Sequence, residues 1–165
     1  MVTDFYITFS ALCFTLLGLW LVVVTTRLAD WRGDTALKRR AYGISLHFSL
    51  PGLMSLFPLI DPASTALWRI SFAVIAGSGA IVLALVRGAV PARTGQAAFL
   101  AAVILYALIA VLAAFPGIVT GLGMTVAPLR IEAVLLTILV FLGVNVAWLL
   151  LFDHTSPTAH STSTP

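Results

Sequence analysis

Charge is what this sequence has least of. Only 9% of its 165 residues are Asp, Glu, Lys or Arg, against 61% hydrophobic. A soluble domain carries about 25% charged residues. Too few polar side chains remain to cover a globule with a water-facing surface, which excludes an ordinary soluble domain and leaves lipid as the solvent. Cysteine is scarcer still. Cys13 stands alone, which excludes an intrachain disulfide and a thiolate metal cluster. Inside an apolar run it reads as a small buried hydrophobe.

Period-2 alternation of apolar and polar residues is also missing, so helices are expected in place of barrel strands. No HExxH, Walker loop, Rossmann fingerprint or nucleophile motif with a plausible base occurs. No Asp lies within an apolar run, and one histidine there cannot form a bis-His haem site. The chain is therefore expected to be non-enzymatic, with no cofactor and no metal. Its net charge of +3 calls for no nucleic-acid partner, because the basic residues sort by loop.

What is present is a set of long apolar runs. A helix rising about 1.5 Å per residue needs roughly 20 residues to cross a hydrocarbon core about 30 Å thick. Runs near that length predict an all-α bundle of five transmembrane helices in one domain, over about 5–26, 41–60, 67–86, 97–116 and 131–152. The first run has the flank MVTD, with an acid and no basic residue. It is also too long for a signal peptide, so it reads as a retained helix. Residues 116–128, with two prolines and three glycines, fit an interfacial loop best. A re-entrant piece and a kinked helix extension stay open. Residues 153–165 are rich in Ser, Thr and Pro and read as a disordered cytoplasmic tail.

Five of the nine basic residues, Arg27, Arg32, Lys38, Arg39 and Arg40, precede the second run, and Arg87 and Arg93 follow the third. Only Arg69 and Arg130 fall in the other loops. The positive-inside rule then places the N-terminus outside and the C-terminus in the cytoplasm of a cell-membrane protein. The five-residue basic cluster is expected to set topology; the alternative is a patch for anionic lipid or a cytoplasmic partner.

Within the second run stands ISLHFSLPGLMSLFPLIDP, Ile44 to Pro62. Pro51 has no N–H for the carbonyl of His47, and Pro58 none for that of Met54. His47, Pro51, Met54 and Pro58 fall on one helical face, and the helix is expected to kink there. An ionisable residue in lipid marks a functional position. Counted by depth, His47, Ser49, Pro51, Ser78, Tyr106 and Asn145 form a candidate intramembrane polar cluster, with a His47–Asn145 hydrogen bond between helices. Arg130 and Glu132 read as anchors at the outer interface, with Glu132 favoured by the helix N-terminus.

Small residues recur at spacing four, at Ala76, Ala80 and Ala84, at Ala98 and Ala102, and at Gly117 and Gly121. Such faces let helices approach closely, either within one chain or between copies. The run of five spans shows no inverted repeat of the kind common in transporters. The expected function is thus a non-enzymatic multi-pass membrane protein, set in the lipid bilayer, that self-associates or assembles with another membrane component. The alternative is a small oligomeric channel or transporter whose proline-bearing second span lines the path.

Overall fold

In the computed structural model the described residues are 2–27, 33–87, 94–121, 123 and 125–152. Six helices follow in order: α1 (Val2–Arg27), α2 (Thr35–Ile60), α3 (Thr65–Arg87), α4 (Thr94–Ala114), α5 (Gly117–Gly121) and α6 (Pro128–Phe152). Among the described residues there is no strand. All but α5 are long and apolar enough to cross a membrane, so the chain is an apolar helical bundle with five candidate spans. Arg32, Arg93 and the tail 153–165 lie outside the described residues.

The helix ends follow local chemistry. Asp34 caps α2: its Oδ1 accepts from the backbone N–H groups of Ala36 (2.8 Å) and Leu37 (3.1 Å), which would otherwise lack intrahelical partners. This cap starts α2 six residues before the expected boundary at 41, because helix formation tolerates Lys and Arg well even where lipid does not. Lys38, Arg39 and Arg40 therefore ride on the first turns of α2, not in a loop. Asp61 turns the chain into α3 by accepting from Ala63 and Ser64, and the Ser64 hydroxyl then accepts from the amide of Leu67. In the stretch 116–128, one helical turn (α5) precedes Gly123 at φ 72, a left-handed conformation that glycine adopts without steric cost. Pro128 opens α6, where its missing N–H loses nothing.

α2, α3, α4 and α6 form a ring in which each packs on its neighbours, and α1 flanks the ring against α2 and more lightly against α6. α2 is the most enclosed helix. The α3–α4 seam is the most extensive contact, and Ala76 and Ala102 are fully buried. Part of the small-residue signal is therefore used inside one chain. A Cβ built on Gly117 or Gly121 would find open space within 4 Å. Cys13 is buried and free.

Three residues, Tyr6, Arg69 and Trp20, tie the ends over long range. At one end, the Tyr6 hydroxyl donates to the carbonyl of Leu129 (2.9 Å), joining α1 to α6. There, too, Arg69 on α3 donates through Nε to Ala113 O (3.1 Å) and through Nη2 to Ala114 O (2.9 Å). Its guanidinium thereby satisfies carbonyls that the end of α4 leaves without amide partners. At the opposite, Lys38-bearing end, Trp20 Nε1 donates to Ala41 O (3.2 Å) and joins α1 to α2.

Candidate functional site

The proline-bearing face of α2 turns inward. His47, Pro51, Met54 and Pro58 are all buried, as is Ser55. His47 Nδ1 lies 2.8 Å from the carbonyl of Gly43, one turn earlier; the acceptor is a carbonyl, so Nδ1 carries the proton and Nε2 is the bare nitrogen. Nε2 is buried without a hydrogen-bond partner among the described residues. The ring faces Phe99 and Tyr106 of α4 edge-on, at centroid distances of 6.2 and 6.4 Å.

From α4, the Tyr106 hydroxyl donates to the carbonyl of Leu46 (2.9 Å), and Ser55 Oγ donates to the carbonyl of Pro51 (2.7 Å). Ser55 thus bonds Pro51 itself, while Tyr106 bonds α2 five residues earlier, and neither meets the carbonyls of His47 and Met54 that the prolines deprive of an N–H.

The six-residue cluster expected from depth does not assemble. His47, Pro51 and Tyr106 come together, and Ser49 is half-buried nearby on α2. Ser78 is exposed, with its hydroxyl on Ile75 O. Asn145 is exposed as well, and its amide donates to Phe141 O in its own helix (2.7 Å). The expected His47–Asn145 hydrogen bond is absent because depth does not fix azimuth: Gly143 faces His47, and a residue two positions further points elsewhere.

Arg130 and Glu132 also part company. Arg130 is exposed, as an interfacial anchor should be. Glu132 is 0% exposed, and neither carboxyl oxygen has a hydrogen-bond partner among the described residues. It belongs to the inward stripe of α6, with Leu136, Leu139 and Gly143. That stripe repeats at three and four residues, so its periodicity was the available signal, and proximity to the helix start concealed it.

On the outer side, α1 and α6 diverge and leave an apolar furrow. Its first section, about 340 Å³, is lined by Val2, Phe5, Arg130, Ala133, Val134 and Thr137. The next, about 400 Å³, shares Phe5 and Thr137 and continues past Leu12 to Leu16 and Val144. A third, about 150 Å³, shares Leu16 and Val144 and runs on to Trp20 and Trp148. The three sections lie in series along α1 from Val2 to Val23, and Arg130 is the charged residue among those that line them.

No protein-family model, no curated protein and no solved structure matches this chain. Function must be argued from these sites alone.

Proposed function

We propose that the chain is a non-enzymatic, multi-pass protein of the cell membrane that works by lateral association with another membrane component, and that this component is a lipid with an anionic headgroup held in the α1–α6 furrow. The observation that carries the reading is the furrow itself, apolar in its sections, with Arg130 as the cation among the described residues that line it. Apolar walls suit an acyl chain, and a guanidinium suits a phosphate geometrically and by charge. A transmembrane helix about 10 Å wide and 30 Å long fills more than roughly 2,000 Å³, far beyond sections of about 150–400 Å³; it would rest on the rim.

The orientation proposed is N-terminus outside and C-terminus in the cytoplasm. The alternating helices gather Arg27, Lys38, Arg39 and Arg40 at one end and leave Arg69 and Arg130 at the other, and short cytoplasmic loops carry the excess of Lys and Arg. The furrow mouth then lies in the outer leaflet, and the basic turns of α2 offer a second, more diffuse contact to anionic lipid inside. A water path along the His47–Pro51 face is disfavoured, because that face is closed by α4 and α6.

Native mass spectrometry of the whole protein, released from vesicles of mixed phosphatidylglycerol and phosphatidylcholine, tests the reading. Retention of phosphatidylglycerol, reduced several-fold in Arg130→Gln, is expected. Equal retention of both lipids, unchanged in the variant, would overturn it. A lipid-free dimer mass would instead support self-association through the same face.

A further inference from the structure

Glu132 is the only glutamate in the chain, and it lies where a carboxylate is least welcome. It is fully buried on the inward stripe of α6, above Leu136 and Leu139, which are themselves fully buried. A buried ionised carboxylate needs a cation or several donors to replace its hydration. Among the described residues neither oxygen has one.

The groups that could compensate it at this end of the bundle are engaged elsewhere or face outward. Arg69 is committed to the end of α4 and Arg130 is exposed on another face of α6; the acids Asp4 and Asp61, whose charge would only oppose a carboxylate, are exposed too. From α1, the ionisable group within electrostatic reach is Tyr6, and its proton is directed to Leu129 O. The Tyr6 hydroxyl is thus spent on the main chain of α6 one turn before Glu132, and the carboxyl at this site is left without a donor among the described residues. Phe72, edge-on to Tyr6 at 6.4 Å, and Trp68 beyond it wall that site on the α3 side.

Two effects oppose each other at Glu132. Burial without donors favours the neutral acid. The N-terminus of α6, which begins at Pro128, lies only about 6 Å away along the helix axis and favours the anion. A carboxyl held between such effects is poised between its two states, and it lies in the second turn of α6, at the end of the bundle where Tyr6 meets Leu129.

We propose that Glu132 is a reversible proton-binding site: its carboxyl carries a proton in the closed bundle and exchanges it with water at the Tyr6 end. The ligand is the proton alone, and the site is separate from the lipid furrow, which Glu132 does not line.

The sole glutamate makes the test selective. The full chain, with ¹³C-carboxyl glutamate, is reconstituted in phosphatidylcholine vesicles and followed by solid-state NMR and infrared difference spectroscopy. The expected result at neutral pH is one protonated-carboxyl signal, absent in Glu132→Gln. That signal should convert reversibly to carboxylate on raising the pH, with the helical circular dichroism unchanged. An ionised carboxylate at neutral pH overturns the proposal. So does conversion that occurs only as the helices unfold, since the acid would then be purely structural. Glu132→Gln should keep the wild-type melting profile, because the amide is isosteric with the neutral acid.

Discussion

Gly143 of α6 stands directly against His47 of α2. A Cβ built on Gly143 would lie 2.5 Å from the Cβ of His47 and 3.1 Å from its Cγ. No side chain at position 143 can be accommodated unless one helix backbone moves, since the clashing atom is fixed to the α2 main chain. This contact, more than any hydrogen bond, places the His47 face against protein. Gly143→Ala is therefore expected to destabilise the bundle by about 1–3 kcal/mol, read by unfolding titration in mixed micelles. An unchanged midpoint would mean that α2 and α6 are further apart than described.

Tyr106 ties α4 to α2 through its hydroxyl on Leu46 O. Phenylalanine keeps the ring, and with it the edge-on contact to His47, but removes the donor. Hydrogen bonds between membrane helices average about 0.6 kcal/mol and reach about 1.7. Tyr106→Phe should fall in that range in the same titration. A larger loss would show that the hydroxyl supports more than one carbonyl.

Arg69 donates to two consecutive carbonyls at the end of α4 from a planar fork. Lysine retains the charge and loses the fork. Arg69→Lys should cost about 1 kcal/mol and raise hydrogen exchange selectively in the last turn of α4 and in α5. Wild-type exchange there would show that charge near the helix C-terminus suffices and geometry does not matter.

The spans were legible in the sequence because lipid demands long uncharged runs, and each of the five runs became a long apolar helix. The start of α2 was less so. Its basic residues suggested a loop, while the Asp34 cap and good helix formers carried the helix back through them. The inward direction of the His47–Pro51–Met54–Pro58 face followed from spacing only up to its partner, which depends on how helices meet. Ser78 and Asn145 show the limit most clearly. Depth along a helix is a count of residues, but the side on which a residue emerges depends on how that helix is turned against its neighbours. Glu132 differs in the opposite sense. Its closeness to the start of α6 suggests an interfacial role, whereas its spacing to Leu136, Leu139 and Gly143 puts it inside.

The polar, proline-bearing face of α2 meets protein, and the surface proposed for association is the α1–α6 furrow. Cysteine accessibility in vesicles, in a Cys13→Ala background, tests both halves at once. Single cysteines at Met54 and Ser55 report the α2 face, and single cysteines at Thr8 and Thr137 report the furrow. Protection of the first set from both a water-soluble and a lipid-soluble thiol reagent is expected, with labelling of the second set by the lipid-soluble reagent only. Labelling at Met54 and Ser55 by the water-soluble reagent would contradict the account and turn α2 into the wall of an aqueous path.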